Sequence, residues 1–224
     1  MANLTRRRML RVVGGVAAGT AGTLVAMQCT QGSAADRNTP PPHAKASSAP
    51  PPVGKADFPI TQNARDAEAM FKKGFGCAQS VLTCCGRSFG LPEETAKRIA
   101  SAFGGGMGMM GLTCGAVTGA FMAIGLKHAQ TDAADSAPAG RAGRLAREFA
   151  RRFKQLHGSI CCNELLGLDI STPEGVHKAV AEGYFAAVRC PVYIRDGAAL
   201  LERLLADESR ETPSKHAAAH GPKA

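Results

Sequence analysis

Cys114-Gly115-Ala116-Val117-Thr118-Gly119-Ala120-Phe121-Met122-Ala123-Ile124-Gly125-Leu126-Lys127-His128 is the stretch that decides the fold. It has no alternation of polar and apolar residues, so it does not read as a half-buried strand. Its small residues Gly115, Ala116, Gly119, Ala120 and Ala123 recur at helical spacing and allow another helix to approach closely. A helix is therefore predicted from about Thr113 to His128. The whole chain agrees with it: aromatics make up 5%, Trp is absent, and runs of β-branched residues are scarce. Such a composition favours helices packed through small side chains.

Working outward, Gly104-Gly105-Gly106-Met107-Gly108-Met109-Met110-Gly111 precedes this helix and reads as a flexible glycine loop. It is not a phosphate loop, because no Gly-Lys-Ser/Thr follows. Before it, Leu91-Pro92-Glu93-Glu94 opens a helix that Phe103 ends, with Pro in the first turn and acids at the positive end of the dipole. Earlier still, Asn63 is expected to cap one helix running to about Arg87, bent at Gly74 and Gly76. After His128 come an Asp/Ala/Pro loop and a helix from about Ala139 to Leu156, with Leu145, Phe149 and Phe153 facing inward. A short helix over Ile160–Leu166 follows, then longer ones over about Pro173–Val188 and Pro191–Leu205. The expected fold is all-α, a small bundle of about six helices with a Gly-rich loop.

The ends have other compositions. Thr5-Arg6-Arg7-Arg8-Met9-Leu10-Arg11 has the paired arginines, apolar positions and trailing base of a twin-arginine export signal. Val12–Met27 is a mild apolar stretch, short for a membrane span, so a stable membrane protein is not expected. Ser33-Ala34-Ala35 offers the small residues of a signal peptidase site. Ala26-Met27-Gln28 is too large and polar for a lipobox at Cys29, which should depart with the signal. These features place the mature protein in the periplasm. Twin-arginine substrates generally cross folded, often around a cofactor. Residues 36–60, with Pro40-Pro41-Pro42 and Pro50-Pro51-Pro52, read as an extended linker. The expected organisation is a signal peptide over 1–35, that linker over 36–60, a helical domain over 61–207 and a disordered tail over 208–224.

The net charge of +9 is partly the leader's. Four of the 27 Lys and Arg residues lie there, leaving 23 against 18 acids, a net +5. No basic stripe with interleaved aromatics appears, so nucleic acid is not an expected partner. No Ser-His-Asp set or paired-carboxylate constellation supports a hydrolase.

Chemistry is concentrated in the cysteines. Seven remain after the signal: Cys77, Cys84, Cys85, Cys114, Cys161, Cys162 and Cys190. Cys114, Cys161, Cys162 and Cys190 fall at expected helix starts, where unpaired N–H groups and the helix dipole favour thiolate. Thiolate is the form that ligates metal or attacks a disulfide. Glycines such as Gly105 and Gly106 let backbone N–H groups approach sulfur closely. Cys77 is expected inside a helix, turned inward by the bend. Cys84, two turns beyond Cys77 on the same face, is a candidate substitute ligand or resolving thiol. Cys161 is a candidate competitor of Cys162. Otherwise these extra cysteines, with Cys85, serve as small buried apolar residues. Among the histidines, His128 and His157 lie near expected helix ends and suit a dipole role; His157 is also a conceivable ligand near Cys161.

Gly76-Cys77-Ala78-Gln79-Ser80-Val81-Leu82, Gly104-Gly105-Gly106-Met107-Gly108, Cys114-Gly115-Ala116-Val117-Thr118-Gly119-Ala120, Cys162-Asn163-Glu164-Leu165-Leu166-Gly167 and then Cys190 together resemble the C_GCAxxG_C_C family of redox-active proteins. The resemblance spans roughly residues 64–206. A similar domain occurs in split-Soret cytochrome c, where cysteines hold a [2Fe-2S] cluster. The resemblance implies Cys77, Cys114, Cys162 and Cys190 as ligands of an iron–sulfur cluster, most simply [2Fe-2S], with Gly105 and Gly106 beside it. Zinc, which four thiolates also suit, is the lesser candidate. No Cys-x-x-Cys-His occurs, so covalent haem is not expected.

The expected function is electron transfer by an exported protein, its partners an exported oxidoreductase or electron carrier. The alternatives are a metal-free thiol–disulfide protein and a non-catalytic subunit or maturation partner of an exported oxidoreductase. Whether two chains share a site as a homodimer stays open.

Overall fold

The computed structural model describes residues 50–128 and 140–211. The leader, the linker up to residue 49, the loop over 129–139 and the tail from 212 lie outside the described residues. Within them the chain is helical, and the sole β pairing is an isolated antiparallel bridge between Thr113 and Cys161.

Helix α1 (Gln62–Lys72) is capped by Thr61, whose hydroxyl accepts the Ala64 N–H at 3.2 Å. Asn63 therefore lies in the first turn and is not the cap. Its side chain instead accepts from the Arg87 guanidinium at 2.7 Å. The single bent helix expected through Arg87 is two helices. Gly74 takes φ +99 and Gly76 is extended, so the chain leaves the first helix and starts α2 (Cys77–Gly86). Gln79 Oε1 accepts the Gly76 N–H at 2.8 Å, one half of a capping box. The break puts Cys77 at a helix start rather than inside a helix.

A 3-10 turn (Arg87–Phe89) leads to α3 (Glu93–Ala100), with Glu93 and Glu94 in its first turn. A second 3-10 turn, Ser101–Phe103, ends this segment as expected. The glycine loop is ordered rather than loose. Its first turn, α4 (Gly104–Met107), winds through left-handed backbone at Gly105 and Gly106, and Met107 and Met109 also have positive φ. Met109 N–H bonds back to Gly104 O, Gly111 N–H to Gly105 O and Leu112 N–H to Gly106 O, all within 3.1 Å. The loop's end then pairs with residues 160–163: Cys114 N–H reaches Ile160 O at 2.8 Å and Asn163 N–H reaches Gly111 O at 3.0 Å.

Then come α5 (Gly115–Lys127), α6 (Arg141–His157), α7 (Cys162–Leu166) and α8 (Pro173–Ala181). The single helix expected through Val188 is broken: α8 ends at Ala181, Gly183 takes φ +67, and a separate π-helical turn follows over Tyr184–Val188. Last is α9 (Cys190–Glu211), longer than expected.

The two closest partners are α2 and α5. A Cβ on Gly115 would stand 2.7 Å from Cys77 Cβ, and one on Gly119 would stand 2.9 Å from Val81 Cβ. No side chain fits between these backbones, so the small residues set the helix separation. Helix α9 runs against α1, α2, α5 and α6, and Tyr193, Ile194, Ala198 and Leu201 bury fully into the core. Phe149 and Phe153 of α6 close it, as the sequence predicts. Residues 50–60, expected as linker, lie along the bundle. Val53, Phe58 and Ile60 pack on the core, because apolar residues interrupt the prolines there.

Candidate redox site

Four segments far apart in the chain bring Cys77, Cys114, Cys162 and Cys190 to one cavity of about 390 Å³. Each stands at a helix start: Cys77 opens α2, Cys114 caps α5, Cys162 opens α7 and Cys190 opens α9. The rest of the lining is almost wholly apolar, including Phe71, Met109, Leu165, Leu166, Phe185 and Tyr193.

Glycine makes this convergence sterically possible. Gly106 has φ +68, and a Cβ there would meet Leu112 N at 2.6 Å and Cys162 Cβ at 2.7 Å. Gly106 thus backs Cys162 and does not line the cavity. Gly105 does line it, and its N–H bonds the Cys77 sulfur. The Ala116 and Val117 N–H groups at the start of α5 point at Cys114 sulfur. These are the donors that helix starts supply.

The thiols are not equivalent. Hydrogen bonding from the Cys190 thiol holds Cys77 below the ordinary thiol pKa against its burial, with help from the Gly105 N–H. Cys190 is raised well above that value, first because it is the donor to Cys77 and then by burial. Burial pushes Cys114 up to about 12, with the charge of Cys77 adding to it. Burial also raises Cys162 well above the ordinary value, reinforced by Cys114 and Cys77. Helix starts alone were expected to favour thiolate at Cys114, Cys162 and Cys190. Desolvation and mutual repulsion outweigh the dipole at these three. Only Cys77 has the lowered pKa.

The additional cysteines lie elsewhere. Cys84 does not line the cavity: seven residues of helix carry it about 10 Å along the axis from Cys77. Burial raises it to about 11. Cys85 is buried at the same end of α2, and its pKa is raised further by desolvation. Cys161 caps α7, but its thiol donates to Gly111 O at 3.2 Å and it is not part of the lining. All seven described cysteines are free thiols.

Other residues of the site were not foreseen. Tyr193, one of two tyrosines in the chain, forms a wall. Its hydroxyl donates to Leu165 O at 3.0 Å and accepts from Arg189 at 3.1 Å. The available signal was spacing: Tyr193 lies three residues after Cys190, hence on the same helix face. Buried Asn163 donates to Asp169 at 2.9 Å and accepts the Ile170 N–H at 3.0 Å, fixing the turn after Cys162. His157 is fully buried, and it faces Asp196 rather than a cysteine, with Nε2 3.6 Å from Oδ2.

The donor set tests which group the site suits. Four sulfurs and several N–H donors facing one apolar cavity fit a sulfur-rich, negatively charged cluster. Among the described residues, no three His, Cys, Asp or Glu side chains are grouped to hold a single metal ion. Among them, too, no helix is long and apolar enough to cross a membrane.

A family model described as "Putative redox-active protein (C_GCAxxG_C_C)" matches residues 75–204, from just before Cys77 to beyond Cys190. No curated protein and no solved structure matches the chain. With its four motif cysteines gathered at one cavity and more than half its length matched, the chain belongs to the C_GCAxxG_C_C family of redox-active proteins.

Proposed function

We propose that this protein is an exported electron carrier that holds a [2Fe-2S] cluster through Cys77, Cys114, Cys162 and Cys190. What carries the reading is the meeting of four helix starts, each with a cysteine, at one apolar cavity. Four cysteines with backbone N–H donors around one cavity suit a cluster, and zinc, which four thiolates also suit, is the lesser candidate. When bound, such a cluster supplies a one-electron couple.

The chain's own residues supply the rest. The Gly105, Ala116 and Val117 N–H groups stabilise negative sulfur. Phe71, Leu165, Leu166 and Phe185 exclude water, which strengthens each of those hydrogen bonds. Cys77 is the first thiol to ionise and hence the first to engage. Cys114, Cys162 and Cys190 give up protons only on ligation, so loading releases protons and weakens at acid pH.

Anaerobic purification of the full chain tests the reading. Iron and sulfide in equal amounts, with a visible charge-transfer absorption and an EPR signal on reduction, are expected. A colourless, iron-free protein with full redox activity overturns it. The twin-arginine signal supports export to the periplasm, where an oxidoreductase or electron carrier would meet the protein. Replacing Arg6 and Arg7 together by lysine should retain it in the cytoplasm; unchanged export overturns the route.

A second reading, metal-free thiol–disulfide exchange, is favoured by the pairing of a lowered Cys77 with a raised Cys190 at one cavity, a nucleophile beside a second thiol. Thiol counts before and after reductant separate the two. A Cys77–Cys190 disulfide in active protein selects the second.

A further inference from the structure

Behind the cavity wall lies a group that the site as described does not use. His157 ends α6 and Asp196 lies in α9, and both are fully buried. His157 Nε2 stands 3.6 Å from Asp196 Oδ2. Neither ring nitrogen of His157 has a hydrogen-bond partner, and neither does Asp196 Oδ2. Three unmatched polar atoms in one dry place are costly. A core that needed only volume here would use apolar side chains.

The surroundings say what the pair can do. The imidazole lies 4.9 Å from the Tyr193 ring and 4.7 Å from the Phe153 ring, centroid to centroid. Tyr193 in turn lines the cysteine cavity, so one aromatic ring separates His157 from it. On the far side, Asp196 Oδ1 accepts from Arg195 Nε at 3.0 Å. The Arg195 side chain keeps about a third of its exposure and lies 4.0 Å from Glu68 of α1. The charged and titratable groups around His157 are thus Asp196, Arg195 and the Tyr193 phenol of α9, with Glu68 of α1 beyond Arg195. Arg195 balances Asp196, and the imidazole is the neutral member of the set.

We propose that the His157–Asp196 pair is the proton-accepting site of the redox centre. When the cavity gains an electron, His157 gains a proton. A one-electron donor outside the protein supplies the electron; solvent supplies the proton. The lone pair of the unprotonated ring nitrogen takes that proton, and the imidazolium then points its Nε2–H at Asp196 Oδ2. The added negative charge in the cavity favours the imidazolium across a water-free wall, where charges interact strongly. The inference rests on the cavity being the redox centre, whichever group there carries the electron.

The test uses the full chain as purified and a reduced viologen as donor. At fixed applied potential, the reduced-to-oxidised ratio should rise about tenfold per pH unit of acidification within a window between pH 4 and 8. His157→Phe, which keeps an aromatic ring in the cluster, should remove at least half of that dependence and leave the high-pH ratio unchanged. Asp196→Asn should move the window to lower pH. In the wild type, the His157 imidazole resonance should titrate at higher pH in the reduced protein than in the oxidised one. This last measurement decides the matter if either variant fails to fold. A pH-independent ratio in the wild type, or an unaltered dependence in His157→Phe, overturns the proposal while leaving the redox centre standing. A chain with no reducible group at all overturns the reading of the cavity, and this inference with it.

Discussion

The two ends of α2 carry cysteines with opposite characters. Cys77 at its start is partly buried, faces a cavity and receives hydrogen bonds from Cys190 and the Gly105 N–H. Cys84 and Cys85 at its end are packed in apolar core, where desolvation holds their protons. Residue type and secondary structure are the same at both ends. What differs is the position along the helix and the company of other sulfurs and amides. A cysteine count therefore says little about thiol chemistry until donors and neighbours are placed around each sulfur.

The sharpest way to break this contrast is alkylation of cofactor-free protein at pH 8. A thiol with a pKa of about 11 is ionised there in roughly one molecule in a thousand. Cys77 should react on the order of 100-fold faster than Cys84, as read by mass spectrometry of timed quenches. Equal rates in the folded protein would erase the distinction between the two ends.

Next in size is the backbone that supports the cavity end. Gly106→Ala adds a Cβ within 2.8 Å of backbone atoms at a positive φ and should destabilise by about 2–4 kcal/mol in urea unfolding. Gly74 also has positive φ, but open space surrounds it. Gly74→Ala should cost only about 1 kcal/mol. A similar loss for the two would mean that close approach to Cys162 adds nothing.

Stability should also depend on pH through the core beside the cavity. Burial, with the charge of Arg195, lowers His157 to about 4 from 6.5. Between these values the unfolded chain binds the proton more readily than the folded one. Stability is therefore full above about pH 6.5 and falls as pH drops toward 4, by up to about 3 kcal/mol. His157→Phe should flatten this part of the curve; an unchanged slope would assign it to other groups.

The smallest effect belongs to the core end. Cys85→Ala should cost about 1–2 kcal/mol and leave the redox behaviour untouched. Cys77→Ser should do the reverse, abolishing the redox response while leaving the melting temperature within a few degrees. If Cys85→Ala also abolished the response, both ends of α2 would belong to one site.

Much of this arrangement is legible before any coordinates. Gly115 and Gly119 announce a close helix contact, because their spacing puts both on one face; that the partner is α2 is seen only in the fold. The motif cysteines, through the family resemblance, name the four that converge. Other features are not readable along the chain. Nothing local distinguishes a bend at Gly74 from a full break, since glycine permits both. The left-handed winding of Gly105 and Gly106 is fixed by bonds from Gly111 and Leu112, residues beyond the loop's first turn. Cys84 shares Cys77's face, but a face is not a depth, and the cavity occupies only one end of it. The pairing of His157 with Asp196 joins the last residue of one helix to the second turn of another, a long-range choice that no local pattern encodes.

The opening of α9 by Cys190 has a consequence for the order of synthesis. A ribosome making this chain delivers Cys77, Cys114 and Cys162 well before the fourth sulfur emerges, and α9 also supplies the wall residue Tyr193 and a large part of the core. A chain truncated before residue 190 has three of the four site sulfurs, no Tyr193 wall and no thiol donor to Cys77. The site is therefore completed by its most C-terminal cysteine, and a finished site reports a chain translated past Cys190.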